Sequence, residues 1–207
     1  MPVLWRHLVH GRRAFSGGER RMNRSPIVLT TPDAAYLRTP KCACTAIKQA
    51  LFERYGHECR SCNLSEWSQN LPLIAMWRDP FDRIESAFRY FTQSTHRKYQ
   101  ATAPGLPRAI DWPGFVLGAL MIPDDERNPH IRSQYRTACA DYLDPIAVDF
   151  LPAEVLRWDF AAFARRFDLP DIPHLNASST ERVEWTPDDR RAVRLAFDSD
   201  FEIWEDV

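Results

Sequence analysis

The apolar residues near the start of the chain follow first a strand pattern and then a helix pattern. The segment YLRTPKCACTAIKQAL, residues 36–51, contains a short β-prone run, a Pro-Lys turn and a helical repeat. Ile47, Ala50 and Leu51 fall on one face of that helix. We therefore predict a strand at residues 35–38, a tight turn, and a helix directly behind the turn.

The same order of patterns occurs again further along the chain. An apolar run at residues 71–77 predicts a buried parallel strand, and Pro80 is a typical residue for the first turn of a following helix. The apolar face of that helix consists of Ile84, Ala87, Phe88 and Phe91. Two successive strand-turn-helix units predict neighbouring strands in one parallel sheet, with both turns at the same edge.

The remaining patterns are of the same α/β kind. They predict a strand at residues 27–30, a helix near residues 112–121, one or two strands within residues 147–157, and an amphipathic helix at residues 160–167. A closing helix begins at Pro187, and its apolar face consists of Val193, Ala196, Phe197 and Phe201. We expect a single-domain, three-layer α/β fold in which helices flank a central parallel sheet.

Length and composition set the domain organisation. With 207 residues, of which 44% are hydrophobic, the chain is long enough for one substantial core and short for two. Residues 1–26 combine several arginines with a single acid, Glu19, which predicts a flexible basic arm in front of a domain at residues 27–207. A transit peptide has the same composition and is the alternative for the arm.

Charge, hydropathy and cysteine content narrow the class of protein. The formal net charge of -1 argues against a general nucleic-acid binder, because such proteins carry a basic excess. No run reaches the roughly 18 apolar residues of a membrane span. The chain has 5 cysteines, an odd number, and no apolar signal segment at its start, so we expect a reducing, cytoplasmic location.

The first turn has the composition of an anion-binding loop. The first amides of a helix lack intrahelical partners and carry the positive end of the helix dipole. Lys41 adds a cation, and Thr45 is expected to cap the helix and to donate its hydroxyl to the same anion. The alternative is a solvated lysine beside an ordinary helix cap. The predicted binding residues are Lys41, Cys42, Ala43, Cys44, Thr45 and Ala46.

The second turn, Arg78-Asp79-Pro80, supplies a second cation. Because both turns are expected at one sheet edge, Arg78 and Ser86 are predicted to face the mouth of the sheet. The alternative for Arg78 is a structural ion pair with Asp79 or Asp82. Neither turn contains the glycines of a Walker A loop or a dinucleotide fingerprint, and the whole chain has only 7 glycines.

Four cysteines form a CxC pair and a CxxC pair: Cys42, Cys44, Cys59 and Cys62. This set leaves open a four-thiolate zinc site. Two of the thiolates would then lie inside the predicted anion loop and would repel the anion. We therefore predict that these cysteines are loop and core residues rather than metal ligands.

These motifs resemble those of the PAPS-dependent sulfotransferases, most closely the Golgi-type carbohydrate branch and its bacterial relatives. TPKCACTAIKQAL is similar to the family's 5′-phosphosulfate loop. RDPFDRIESAF is similar to its 3′-phosphate motif, which implies that Arg78 and Ser86 bind the 3′-phosphate of the donor. NPHIRSQ resembles the His-x-x-x-Gln segment of the carbohydrate branch, and the motif order agrees over residues 36–204. The resemblance implies a P-loop-like fold that uses PAPS (3′-phosphoadenosine-5′-phosphosulfate) as sulfuryl donor and requires no metal.

The resemblance also implies the reaction, which is transfer of the sulfuryl group to a hydroxyl of a carbohydrate or glycoconjugate, with release of PAP. Lys41 and His130 are the predicted catalytic residues, because a histidine suits the general base that the hydroxyl needs. His57 and Glu66 are alternatives for the base. Lys48 either approaches the sulfonate or covers the helix flank. A P-loop-type nucleotide kinase and a non-catalytic anion- or zinc-binding module remain alternative functions.

Overall fold

A computed structural model of the chain describes residues 26–67, 70–93, 111–138, 148–153, 164–165, 167–169 and 182–206. Within these residues, one mixed sheet and six α-helices form an α/β architecture. Apart from Pro26, the predicted basic arm lies outside the described residues. No helix of the described part of the chain is both long and apolar enough to cross a membrane.

The sheet consists of β1 (Ile27–Thr30), β2 (Ala35–Leu37), β3 (Arg60–Asn63), β4 (Leu73–Trp77) and β5 (Val148–Pro152). Its strand order is β3-β1-β2-β4-β5. β2, β4 and β5 are parallel, whereas β1 runs antiparallel to both β2 and β3. The predicted parallel pairing therefore holds for the three strands β2, β4 and β5, whereas β1 and β3 make the sheet mixed.

The short connection between β1 and β2 explains why these two strands are antiparallel. A tight turn joins β1 to β2, and strands joined by a tight turn must be antiparallel because parallel neighbours need a long crossover. β3 was not predicted because its side chains are mostly exposed at the sheet edge, so its sequence carries no apolar pattern.

The six α-helices are α1 (Cys44–Tyr55), α2 (Pro80–Gln93), α3 (Trp112–Met121), α4 (Gln134–Ala138), α5 (Pro187–Ala196) and α6 (Asp198–Asp206). Two 3-10 turns lie at Gly56–Glu58 and Leu64–Glu66. The two predicted strand-turn-helix units are confirmed, since β2-α1 and β4-α2 follow the predicted order and β2 pairs with β4 in parallel.

Helix α1 covers one face of the sheet. Its residues Ile47 and Leu51 form a core cluster with Tyr36 of β2 and Ile74 of β4, and all four are fully buried. Successive residues of a strand point to opposite faces, so the neighbours of Tyr36 and Ile74 face away from α1. The predicted apolar face of α1 is therefore the face that packs on the sheet.

Helix α6 packs against the opposite face. The Trp77 ring meets Phe150 edge to face, with ring centroids 4.8 Å apart, and Trp77 Nε1 donates to the carbonyl oxygen of Asp200 at 3.2 Å. Trp204 of α6 joins the same core cluster. A separate helical core, with the fully buried Phe115 in it, forms where α2, α3, α5 and α6 pack together. Helices thus lie on both sides of the sheet.

The predicted closing helix is two helices. α5 begins at Pro187 as predicted, behind a capping box in which Thr186 and Asp189 exchange hydrogen bonds. Phe197 then leaves helical geometry, with φ -130° and ψ 32°, and α6 starts at Asp198. Acidic residues in the first turn of α6 favour a new helix N-terminus at this point, which an apolar repeat alone does not reveal.

Two further predictions are only partly tested. β5 occupies five residues of the predicted 147–157 segment. Of the predicted helix at residues 160–167, only 164, 165 and 167 are described, and these three are helical. Ala164 and Phe167 join the core cluster beneath α1.

Replacing Ile47 with Ala is expected to lower the free energy of unfolding by about 2 to 5 kcal/mol, because it leaves a cavity between α1 and the sheet. The matched control is Gln49→Ala on the exposed side of the same helix, which is expected to change stability by no more than about 0.5 kcal/mol. Urea unfolding measures both variants. Equal effects of the two substitutions would contradict the packing of α1 described above.

Candidate anion-binding site

The carboxyl ends of β2 and β4 meet at one edge of the sheet, as the sequence predicts. Leu37 pairs with Ala75 in the parallel register, so β4 extends two residues further before its chain turns into α2. Arg78 follows directly, and its Nη1 donates to the carbonyl oxygen of Lys41 at 3.1 Å. This hydrogen bond joins the turn after β2 to the turn after β4.

The turn before α1 has an unusual backbone. Lys41 and Ala43 both adopt left-handed conformations, with φ of 69° and 55°. Such positive-φ residues, close together in a turn, can direct successive amides toward one point and create an anion-binding concavity. The first intrahelical bond of α1 runs from the Ile47 amide to the Ala43 carbonyl, at 3.1 Å. The amides of residues 44–46 therefore precede the hydrogen-bond ladder of the helix.

The predicted cap at Thr45 is wrong. Ala43 is the N-cap of α1 and makes no side-chain capping bond, while Thr45 lies inside the first turn of the helix and is exposed. The left-handed conformation of Ala43 starts the helix at Cys44, which an L-residue with a β-carbon seldom allows. The Thr45 hydroxyl is thus a first-turn side chain beside the unpaired amides.

The side chains of the loop divide between the core and the open side. Cys42 and Ala46 are buried, and the Cys42 thiol donates to Gln134 Oε1 at 3.0 Å. Ala43 and Thr45 are exposed, and Cys44 is half-buried. Cys42 and Ala46 therefore face an anion only through their backbone, because their side chains point into the core.

Lys41 lies against an aromatic ring. Its Nζ is 4.5 Å from the centroid of the Tyr90 ring, a distance at which an ammonium is attracted to the ring face. Burial lowers the pKa of Lys41 to about 8; the nearby Cys44 acts in the opposite direction, and the positive charges of Arg78 and Arg83 add to the lowering. Lys41 is still mostly protonated at neutral pH.

His130 lies on the same tyrosine. The His130 and Tyr90 rings are stacked, with centroids 4.5 Å apart and an interplanar angle of 17°. His130 Nδ1 is 2.8 Å from Asn128 Oδ1, an oxygen that also accepts the His130 backbone amide at 3.0 Å. Because an amide oxygen only accepts, Nδ1 carries the ring proton and Nε2 carries the lone pair.

The protonation state of His130 follows from its surroundings. Burial lowers its pKa to about 4, and the positive charges of Lys41 and Arg83 contribute to the shift. The imidazole is therefore neutral at pH 7. Lys41, Tyr90 and His130 together place an ammonium and an unprotonated imidazole nitrogen around one aromatic ring.

The two alternative bases lie elsewhere. His57 is exposed in the 3-10 turn beyond α1, and a helix of this length places it about 18 Å along the axis from the loop. Glu66 accepts the Asn63 amide at 3.0 Å, in a capping box that follows edge strand β3. His130, by contrast, contacts the same Tyr90 ring as Lys41.

The remaining predicted residues have these positions. Ser86 is buried on α2, one turn before Tyr90 and on the same side of that helix. Lys48 is exposed on α1 with its Nζ 5.6 Å from the centroid of the Phe52 ring, so it covers the helix flank.

The alternative ion pairs of Arg78 involve carboxylates that have other partners. Asp79 Oδ1 accepts the amides of Phe81 and Asp82 at 2.7 and 3.3 Å, and so caps α2. Asp82 pairs with Arg182, at 2.8 Å.

Tyr90 and Arg83 are site residues that sequence reasoning missed. The Arg83 side chain is buried, and its guanidinium donates to the carbonyl oxygens of Pro40, Pro129 and Arg132 at 3.3, 3.4 and 2.6 Å. Arg83 therefore connects the loop in front of α1 to the segment that contains His130. The only signal for Tyr90 is its position one turn after Ser86 on an amphipathic helix.

The cysteines that could have formed the alternative zinc site lie in different elements. Cys42 precedes α1, Cys44 opens it, and Cys62 lies on the edge strand β3. Across the described residues, no group of three or more His, Cys, Asp or Glu side chains is arranged to hold a metal ion.

Comparison of the chain with protein-family models, with curated proteins and with solved structures finds no match in any of the three. Any assignment of function therefore depends on the residues of this site and on their geometry.

The lowered pKa of Lys41 predicts that the free energy of unfolding depends on pH. The folded protein loses the Lys41 proton near pH 8, whereas the unfolded chain retains it to about 10.5, so the stability of the wild type rises between these values. Lys41→Met removes this titration. The melting temperature of wild type minus that of Lys41→Met should increase from pH 8 to 10.5 and level off on either side. A difference that stays constant over this range would contradict the burial of the ammonium.

Proposed function

We propose that this protein is a PAPS-dependent sulfotransferase with a P-loop-like site, which transfers a sulfuryl group to the hydroxyl of a carbohydrate or glycoconjugate. The main observation in support of this proposal is that two strand-turn-helix units meet at one edge of the sheet. One turn supplies Lys41 and the unpaired amides of α1, and the other supplies Arg78. Tyr90 places His130 beside this cationic centre.

The cationic groups suit the two anionic ends of the donor. Lys41 and the amides of residues 44–46 would bind the 5′-phosphosulfate, where charge develops on the bridging oxygen as the sulfur-oxygen bond breaks. Arg78 would bind the 3′-phosphate, because a guanidinium pairs well with a phosphate dianion. A half-buried Lys41 with a pKa of about 8 gains from an anionic partner, which restores its protonated form.

His130 would act on the acceptor. PAPS supplies an activated sulfuryl group; the acceptor oxygen forms the new bond to sulfur, the hydroxyl proton moves to His130 Nε2, and PAP leaves with the electron pair of the broken bond. The Nδ1 contact with Asn128 keeps Nε2 unprotonated for this role. A histidine with a pKa of about 4 is a weak base in the free protein, and the negative charge of the donor would raise that pKa.

The first prediction from this proposal concerns the donor. PAP should bind without added metal, and Arg78→Ala should weaken PAP binding about 10- to 150-fold by removing a charge-assisted contact to the 3′-phosphate. Calorimetry with PAP and with AMP, which lacks that phosphate, measures the effect. A variant that keeps the wild-type preference for PAP would remove Arg78 from the 3′-phosphate site.

Melting temperatures measured with PAP, with ATP plus Mg²⁺ and with EDTA test the alternative functions. Only a ligand that binds the native state raises the melting temperature. Stabilisation by ATP with Mg²⁺ but not by PAP would favour a nucleotide kinase, and loss of stability in EDTA would favour a zinc-binding module.

The second prediction separates the donor loop from the base. His130→Ala should leave PAP affinity unchanged and lower turnover by about 10²- to 10⁴-fold, because the base contacts only the acceptor. Lys41→Ala should lower both PAP affinity and turnover. Screening hydroxyl compounds with labelled PAPS first identifies an acceptor. The controls are His57→Ala and Glu66→Ala, and a large loss of turnover in either, with normal turnover in His130→Ala, would move the base to that residue.

A further inference from the structure

The side chain of Gln134 lies between the two turns of the site and is fully buried. Its Nε2 donates to the Arg78 carbonyl at 2.8 Å, and its Oε1 accepts the Arg78 amide at 3.0 Å. The carboxamide thus pairs with both backbone groups of Arg78, as a neighbouring strand would. The same Oε1 accepts the Cys42 thiol at 3.0 Å, which links Gln134 to the anion loop.

A buried carboxylate fixes Gln134 in turn. Asp200 of α6 is fully buried and accepts the amides of Gln134 and Tyr135 at 2.8 and 2.9 Å. It also accepts the Ser133 hydroxyl at 2.6 Å. Asp200 therefore caps α4 from a different helix, where a carboxylate complements the positive end of the helix dipole. Its own carbonyl accepts Trp77 Nε1, so the same residue also touches the end of β4.

We propose that Gln134, held by Asp200, is a positioning residue. It fixes the position of the Arg78 backbone relative to the loop that contains Cys42. The inference rests on the proposed function for its ligand, because Arg78 is the residue assigned to the 3′-phosphate. Its physical basis is the loss of two hydrogen bonds: without the carboxamide, the partly buried amide and carbonyl of Arg78 lose this partner. Arg78 would then no longer be held in the orientation that points its guanidinium toward Lys41.

The test is a double-mutant cycle on PAP affinity. Gln134→Leu has similar volume and removes the carboxamide, and it should weaken PAP binding about 10-fold. If Gln134 acts through Arg78, the Gln134→Leu, Arg78→Ala double variant should bind PAP about as weakly as Arg78→Ala alone. Thr137→Val is the matched control, since Thr137 is buried on the same short helix and its hydroxyl donates to the Ser133 carbonyl at 2.8 Å. It should leave PAP affinity unchanged.

Independent losses that add in the double variant would overturn the proposal, as would unchanged affinity in Gln134→Leu. If Gln134→Leu does not fold, Gln134→Met replaces it, because methionine has the unbranched shape of glutamine, lacks the carboxamide and adds no charge. Asp200→Asn should also weaken PAP binding, but less than Gln134→Leu does, since one of the three groups that donate to the Asp200 carboxylate loses its acceptor.

Hydrogen exchange separates failure of this proposal from failure of the proposed function. The Arg78 amide should exchange about 10-fold faster or more in Gln134→Leu than in wild type, while the Arg190 amide of α5, bonded to the Thr186 carbonyl, should not change. This measurement needs no ligand. If wild type fails to bind PAP, the sulfotransferase proposal is wrong, and exchange at Arg78 alone supports or overturns the role of Gln134.

Discussion

The parallel pairing of β2 with β4 is the constraint on which the site depends. It sends both chains out of the sheet at the same edge, and the register places Arg78 beside the loop that carries Lys41. Like charges repel, so electrostatic attraction does not bring these two side chains together. Sheet hydrogen bonds and the burial of Ile47 hold them there instead, and the Arg78 guanidinium donates to the backbone carbonyl of Lys41.

The cationic side chains of the site repel one another in the folded protein. Burial and neighbouring cations lower the pKa of Lys41 to about 8 and that of His130 to about 4, so both groups are harder to protonate than in water. Arg83 contributes to both shifts, yet its guanidinium is committed to three backbone carbonyls that fix the loop. A bound anion would relieve the repulsion among these cations, which is why such a cluster favours an anionic ligand over an empty site.

Sequence patterns predicted the parts of the site that depend on periodicity and composition. Both turns, their order and their common edge follow from apolar runs and helix faces, which burial requires. Thr45 was predicted as the cap because the left-handed conformation of Ala43, which moves the cap two residues earlier, has no sequence signal. Tyr90 and Arg83 were missed because an amphipathic pattern identifies the buried side of a helix without identifying what each residue contacts there.

The shared tyrosine also couples the two halves of the site energetically. The positive charge of Lys41 contributes to the low pKa of His130, and Tyr90 excludes water from one side of each. An anion bound at Lys41 offsets that charge and raises the proton affinity of His130, and by linkage protonation of His130 tightens the anion by the same factor. Under the proposed reaction, His130 therefore becomes an effective base only once the donor is bound, and the proton that it takes up favours retention of the anionic product.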